Sequence, residues 1–330
     1  MQEQDEQREV VPQLPAGSAL TVAIPTYNGR GLLEVVLPSL ARQRFRDFDV
    51  VVVDDGSTDD TVQWLGAHWP EVKIVAQANQ GVTAALNSCL RAAAHTELVG
   101  LFNSDVELDP DCLGELVDAL REHPEAGSAS PKLLDFDRRD VIDGAGDVLK
   151  WAGHGHRRGH GEADRGQYDR AQAIFGPCAG AAVYRRSALE VVGDFDEDFY
   201  AFFEDVDWAL RAQLAGFDCR YVPTALVYHM GSATLGAGLT DFARYQLWRN
   251  AVWLVAKGMP TSLIARHAHQ LLAGQIVNLA VALRDRKLGV WLRAWRDAIA
   301  GLPRMAARRR LIQRNRRVSP RELEARLDPW

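Results

Sequence analysis

The first third of the chain alternates apolar runs with amphipathic stretches. Leu20–Ile24 is a short apolar run that ends in Pro25-Thr26-Tyr27-Asn28, and Leu32 to Leu40 repeats with helical spacing. Phe48–Val53 is rich in β-branched residues, as in a strand buried on both faces, and it stops at Asp54-Asp55-Gly56-Ser57-Thr58-Asp59. Thr58 or Asp59 can cap the helix that follows through Trp64 and Leu65. Val72–Val75 predicts a short strand, Asn79-Gln80-Gly81 opens a helix over Val82–Ala93, and Leu98–Phe102 predicts another buried strand. Repeated β–α units of this kind predict an α/β fold with a doubly wound, mostly parallel sheet flanked by helices. Ligands of such sheets bind outside the carboxyl ends of the strands. Three polar clusters fall at those ends: Thr26-Tyr27-Asn28, Asp54-Asp55 and Asn103-Ser104-Asp105.

The segment from Asp135 to Gln172 is rich in Gly, Arg, His and Asp, and predicts a long loop that serves as a lid. Phe175 to Ser232 reads as a compact block. It holds a strand over Ala179–Tyr184, a helix from Arg186, a turn at Gly193-Asp194-Phe195-Asp196 and a helix over Val206–Ala215 closed by Gly216. Two strands, Cys219–Val222 and Ala225–Tyr228, lead to His229. Gly231 to Gly238 reads as a linker. The pattern is helical from Thr240 onward, with Leu288, Trp291, Leu292, Trp295, Ile299 and Leu302 on one face. The expected organisation is a disordered arm over 1–18, a catalytic domain over 19–235 and a helical C-terminal region over 236–330 with a basic tail.

Composition narrows the partners. The 330 residues suffice for one large α/β domain and an appendage, and the net charge of −6 argues against nucleic acid. Charge is unevenly spread, with seven arginines and no acid between Arg304 and Arg317. Such a run fits phosphate or an anionic membrane surface, and equally a solvated helix face. The Trp291/Trp295 stripe, flanked by Lys287, Arg293 and Arg296, fits either core packing or an interface. The four cysteines form no C-x-x-C pair, which predicts a reducing compartment without disulfides or zinc. The first 18 residues are polar and acidic and lack the apolar stretch of a signal peptide. Leu271–Leu283, the most apolar window, is short for a span and holds Gln275 and Asn278. The expected location is therefore the cytoplasm, with any membrane contact peripheral, on the inner face.

No glycine-rich phosphate loop of either common type is present, so a divalent metal is the natural substitute for gripping phosphates. Asp105 at a strand end and His229 after another strand could hold that metal. Glu204, Asp205 and Asp207 crowd one helix start, where mutual repulsion raises a carboxylate pKa toward that of a general base. Each feature has a plainer reading as well. Asp105 could cap a turn before Pro110, the acidic trio could favour a helix dipole, and His229 could be structural. The histidines of His154-Gly155-His156-Arg157-Arg158-Gly159-His160 lie in a glycine-rich stretch without the fixed geometry of a metal site, so its arginines are the likelier ligands for a diphosphate or an acceptor. A nucleotidyltransferase, with Gly29-Arg30-Gly31 as a weak phosphate grip, and a non-catalytic nucleotide-sugar-binding protein are the competing classes.

Taken in order, these motifs resemble glycosyltransferase family 2, inverting enzymes of GT-A fold, and within it bacterial rhamnosyltransferase-like members. The carriers are Ile24-Pro25-Thr26-Tyr27-Asn28, Val53 to Asp59, Asn79-x-Gly81 with Asn87, Asn103-Ser104-Asp105, Gly193 to Asp196, Phe203 to Asp207 and Tyr228-His229. The resemblance covers Leu20 to about Ser232. It implies a nucleoside-diphosphate sugar donor, either dTDP-rhamnose or a UDP-sugar, and transfer to a hydroxyl of a saccharide or lipid-linked acceptor. It implies donor contacts from Pro25, Thr26, Tyr27, Asn28, Asp54, Asp55, Asn79, Gly81, Asn87, Asn103 and Ser104. Asp105 and His229 would hold Mn2+ or Mg2+, and Asp205, with neighbouring Glu204, would be the base. Gly180, Asp207 and Arg249 would face the acceptor or diphosphate. Two departures stand out. Asn103 replaces the first Asp of the D-x-D-like motif, and Gln246-Leu247-Trp248-Arg249-Asn250 ends in Asn where processive members carry Trp. The second favours transfer of a single sugar.

Overall fold

The computed structural model describes residues 13–178, 180–231 and 239–328. The first half follows the predicted alternation: β1 (Leu20–Thr26), α1 (Arg30–Ala41), β2 (Phe48–Asp54), α2 (Thr61–His68), β3 (Lys73–Ala76), α3 (Val82–Ala92) and β4 (Leu98–Phe102). β5 (Val106–Leu108), α4 (Cys112–Glu122) and β6 (Ala126–Asp135) follow. β1, β2, β3 and β4 pair in parallel in the order β4-β1-β2-β3, and Thr26 sits in register with Asp54. β2 is buried at nearly every position, as its β-branched run requires.

Beyond β4 the sheet becomes mixed. β11 (Ala181–Arg185) runs antiparallel between β4 and β6, and β12 (Asp218–His229) runs parallel to β6. The two strands expected before His229 are one, with a register irregularity between Val222 and Leu226 where Pro223 cannot donate to the ladder. α5 (Arg186–Val192), a 3-10 turn (Glu197–Phe199) and α6 (Glu204–Ala215) lie between β11 and β12.

The expected lid is folded, partly into the main sheet and partly as a separate two-stranded sheet. β7 (Ile142–Gly144) pairs with β6, β8 (Asp147–Leu149) and β9 (Gly155–Arg157) form a hairpin, and β10 (Gln172–Ile174) pairs with β12. Ile142, Ala145, Leu149 and Trp151 are buried, and buried Lys132 pins the outer stretch through Asp164 (3.0 Å) and Asp169. Three-residue strands are too short to carry a hydrophobic period, so composition alone suggests a loop.

The C-terminal region is α7 (Asp241–Gly258), α8 (Thr261–Arg266), α9 (Ala268–Arg284), α10 (Leu288–Arg314) and α11 (Pro320–Glu324). Part of the expected N-terminal arm is ordered against the domain: Leu14 is buried, and Gly17 donates to the Phe48 carbonyl at 2.9 Å. Residues 1–12 of that arm, and the expected linker beyond Gly231, lie outside the described residues.

The basic run turns partly inward. Arg304 pairs with Asp198 (3.1 Å), Arg308 pairs with Asp198 (2.6 Å) and Asp196, and Arg309 donates to the Met259 carbonyl (2.6 Å). The expected apolar face of α10 is divided: Trp291 packs against Trp248, Ala282 and Ala294, and Trp295 and Leu302 are half-buried. The buried residues of α10 are Ala294, Ala298, Gly301 and Met305, while Leu288, Leu292 and Ile299 are exposed. Gly301 lies against the Trp253 ring so closely that a Cβ there would come within 2.5 Å. Small residues let α10 approach α7, and Leu288, Leu292 and Ile299 are left outside.

Candidate active site

The parallel strands β1, β2 and β4 bring Thr26, Asp54-Asp55 and Asn103-Ser104-Asp105 to one edge of the sheet. Asp54 and Asp55 are buried and shape the loops that wall this edge. Asp54 accepts from the Ser57 amide (3.0 Å) and hydroxyl. Asp55 accepts from Gln77 Nε2 (2.7 Å) and the amides of Gln80 (3.0 Å) and Gly81 (2.9 Å). Asn28, at φ 49°, accepts from the Thr58 amide at 2.7 Å. Both Asp54 oxygens and Asp55 Oδ2 can each accept a further bond, whereas Asp55 Oδ1 already accepts two. Buried Thr26 Oγ1 has no hydrogen-bond partner among the described residues, while Tyr27 and Asn79 are exposed. Pro25 is buried opposite Val53. Gly81, at φ +89°, leaves 2.7 Å between a would-be Cβ and the Tyr200 ring, so only glycine fits.

Asp105 and His229 meet across the β5–β12 pair. His229 Nε2 lies 3.4 Å from Asp105 Oδ2, and its Nδ1 lies 2.8 Å from Asp143 Oδ2. Asp143 also accepts from Arg157 Nη1 at 2.7 Å. Burial lowers the His229 pKa, but the hydrogen bonds to Asp105 and Asp143 outweigh it and raise it to about 9. Gly180, at φ +109°, closes on this group: a Cβ there would sit 3.2 Å from Asn103 Nδ2 and 3.9 Å from His229 Nε2. A carboxylate that orients a ligating imidazole through Nδ1 is a common support for a metal. Among the described residues no group of three or more His, Cys, Asp or Glu is arranged to hold an ion. One carboxylate and one imidazole still suit a hard divalent cation whose remaining ligands are diphosphate oxygens and water.

The second acidic cluster opens α6. Glu204 and Asp207 are buried, whereas Asp205 is partly exposed. Burial, then the charge of Asp205, pushes the Glu204 carboxyl up to about 8. Asp207 is fully buried and committed to Arg211 (2.8 Å) and Lys257 (2.7 Å). Asp205 is therefore the carboxylate of the three that can meet a substrate. Buried Asp147 is raised well above the usual carboxyl range by burial and by neighbouring Asp205. Arg157 feels Asp143, Asp147 and Asp205 together, which joins the two acidic clusters into one field.

Glu204 yields a testable difference. A folded-state pKa near 8 means that folding retains a proton. Stability is then lost as pH rises from the ordinary carboxyl range through about 8. Glu204→Gln has no charged form, so the wild-type melting temperature should fall several degrees more than that of the variant between pH 6.5 and pH 9. Equal falls would place the Glu204 pKa in the ordinary range.

The backbone leading into α6 is strained. Tyr200, Phe202 and Phe203 have φ of 65°, 64° and 70° without being glycine. Asn250 of α7 holds this loop: its Nδ2 donates to the carbonyls of Phe199 (3.0 Å), Ala201 (3.0 Å) and Phe202 (2.7 Å). Arg249 adds bonds to the carbonyls of Asp198 and Phe199, both 3.1 Å, and lies 4.3 Å from the Trp253 ring centroid. Lys257 pairs with Asp196 at 2.6 Å.

These contacts correct three expectations. Asn87 does not face the donor edge, because its amide is spent on the Phe195 backbone and Glu197, each at 3.0 Å. Asp207 is sealed in an ion-pair network, and half-buried Arg249 spends its guanidinium on the loop before α6. Sequence reasoning missed Asp143 and Asp147, and it gave neither Arg157 nor Asn250 the role described here. Arg157 lay within a stretch expected to be a mobile loop, and Asn250 registered only as a departure from a motif. Two cavities of about 400 Å³ are lined by residues of α5, α6, α8 and α10, and neither is lined by a strand-end residue.

Comparison with known proteins agrees with this architecture. The pattern of Glycosyl transferase family 2 matches residues 21–193, just over half of the chain. An uncharacterised protein of Sinorhizobium fredii is 33% identical over 231 residues, 66% of this chain, and the match spans only a quarter of that protein's length. An N-acetylglucosaminyl-diphospho-decaprenol L-rhamnosyltransferase of Mycobacterium tuberculosis is 29% identical over 243 residues, covering 66% of this chain and 78% of its own. Among solved structures, residues 1-349 of S. aureus TarS superpose with a TM-score of 0.58 at 19% identity, covering 93% of this chain and 91% of that fragment. A mannosyltransferase from Pyrobaculum calidifontis in complex with GDP-Man and Mn2+ gives 0.53 at 21% identity, covering 93% and 88%. Family and fold favour a glycosyltransferase over the nucleotidyltransferase and non-catalytic alternatives. The chain belongs to glycosyltransferase family 2 and has the GT-A fold.

Proposed function

We propose that the protein transfers a single sugar, with inversion, from a dTDP- or UDP-sugar to a hydroxyl of a saccharide or lipid-linked acceptor. The observation that carries this reading is the Asp105–His229–Asp143 chain, with contacts of 3.4 and 2.8 Å, at the sheet edge that also carries Thr26, Asp54 and Asp55. Thr26, Asp54, Asp55 and the turn at Gly81 line the nucleoside side of the edge, with Asn103 and Ser104 beside the diphosphate. Asp105 Oδ2 and His229 Nε2 would hold Mn2+ or Mg2+, and Asp143 fixes the imidazole tautomer. The cation, when bound, neutralises charge that develops on the leaving diphosphate.

Asp205 takes the proton of the acceptor hydroxyl as its oxygen attacks the anomeric carbon. The bond from that carbon to the diphosphate oxygen breaks on the opposite side, which inverts the centre. The rhamnosyltransferase relative, with a diphospho-decaprenol in its name, supports a lipid-linked acceptor. Among the described residues no helix is long and apolar enough to cross a membrane. The proposed place of work is the cytoplasm, in peripheral contact with the inner face of the membrane.

Titration calorimetry with UDP and dTDP tests the metal role. Affinity should be high with Mn2+ and low with EDTA, and Asp105→Ala should lose the difference. Asp143→Ala should weaken Mn2+ binding itself by roughly 10–100-fold, the usual cost of losing an outer-sphere carboxylate. Equal nucleotide affinity with and without metal would remove Asp105 and His229 from this role.

A further inference from the structure

The hairpin of α9 and α10 is inside out. α9 buries Gly274 and Ala282 while Leu272, Ile276, Val277 and Leu283 are 56–62% exposed. α10 buries small residues against α7 and exposes Leu288, Leu292 and Ile299. With Leu311, eight of the fourteen exposed large hydrophobic residues among those described lie on these two helices. Single exposed leucines need no explanation, but this concentration marks a docking face.

Charge decides what docks there. The stretch from α9 to the end of α10 carries ten basic residues and two acidic ones, in a chain whose net charge is −6. Both acids are already neutralised: Asp285 by Arg284 (2.8 Å) and Arg244 (2.9 Å), and Asp297 by Arg296 (2.7 Å). Two copies of so basic a surface would repel each other across a shared interface. An anionic bilayer surface complements both the charge and the apolar face.

We infer that the α9–α10 hairpin seats the enzyme on an anionic lipid bilayer. Leu272, Ile276 and Leu283 enter the headgroup boundary, and Arg286 at the tip meets lipid phosphates, flanked by Arg284 and Lys287, which pair with Asp285 (2.8 Å) and Asp241 (2.7 Å). Neither helix spans the bilayer. The seat differs from a purely electrostatic contact through the arginine run, since Arg304, Arg308 and Arg309 are bonded within the protein. The inference rests on the lipid-linked acceptor reading for its purpose, because such an acceptor must be met at the membrane.

Co-sedimentation of the full chain with phosphatidylglycerol and phosphatidylcholine vesicles tests it. Wild type should bind phosphatidylglycerol vesicles at low salt, bind phosphatidylcholine weakly, and release as salt rises. The triple variant Leu272→Glu, Ile276→Glu, Leu283→Glu should lose vesicle affinity by on the order of a hundredfold, since three apolar insertions become charges. Its thermal melt and its release of nucleoside diphosphate in solution should match wild type, because these side chains are exposed and touch no site residue. The inference is overturned if wild type stays in the supernatant at low salt, or if the triple variant binds as tightly. A wild-type dimer that the triple variant makes monomeric, without vesicle binding, would instead assign the face to a second copy. Vesicle binding with the expected variant dependence, in a protein that turns over no sugar donor, would uphold the seat and sink the reading of sugar transfer.

Discussion

Asp205→Asn should abolish sugar transfer and leave donor binding nearly intact. The amide keeps the size of the carboxylate but cannot take the acceptor's proton, and losing a general base costs about 10²–10⁴ in rate. Donor affinity should survive because the nucleoside walls and the Asp105–His229 pair lie on other elements. The neighbouring carboxylates cannot substitute. Glu204 is buried with its pKa pushed up to about 8, and Asp207 is locked to Arg211 and Lys257. Steady-state rates beside calorimetric donor affinity read the two effects apart. Near-normal turnover in Asp205→Asn would return the role of base to Glu204, whose Gln variant should otherwise stay active.

Asn250→Ala should slow transfer by roughly 10–100-fold without changing donor affinity. Three non-glycine residues at positive φ cost on the order of 1–3 kcal/mol each and persist only where neighbours hold them. The two N–H groups of Asn250 Nδ2 are shared among the three carbonyls and contribute about 0.5–1.5 kcal/mol each, so the clamp offsets part of the strain. Without the clamp the loop relaxes, and the start of α6, which carries Asp205, moves. A displacement of about 1 Å at a reacting group can cost about a hundredfold. Asn250→Asp has the same shape but no N–H to donate, so it should do no better than alanine. A general loss of fold would instead lower donor affinity along with the rate. Unchanged kcat in both variants would show that the loop holds itself.

Much of the polar strand-end edge was legible because it follows long apolar strands. A buried run such as Phe48–Val53 announces where it stops, and Asp54 and Asp55 stand at that stop. Asp105 and Glu204-Asp205 were legible through the order of motifs. Asp143, Asp147 and Arg157 were hidden because their strands are three residues long and rich in glycine and charge. No period survives at that length, so a folded support read as a lid. Asn87 misled for the opposite reason. It sits in a motif associated with the donor, yet both ends of its amide hold the Phe195 backbone. The α10 pattern reads as one apolar stripe, but periodicity does not say how it packs: Trp291 meets Trp248 and Ala294, while Leu288, Leu292 and Ile299 stay exposed. Ala294, Ala298 and Gly301 decided that, by allowing close approach to α7.

The most direct measurement is release of nucleoside diphosphate from a panel of dTDP- and UDP-sugars, with Mn2+ and a saccharide-diphospho-lipid acceptor. Wild type, Asp105→Ala and Asp205→Asn are compared, and each is repeated with EDTA. Wild type should turn over at least one donor, only with metal, and give a glycoside of inverted configuration. Both variants should fail, with Asp205→Asn still binding the donor. Turnover by Asp205→Asn at the wild-type rate, or equal wild-type turnover in EDTA, would contradict metal-assisted transfer with Asp205 as the base.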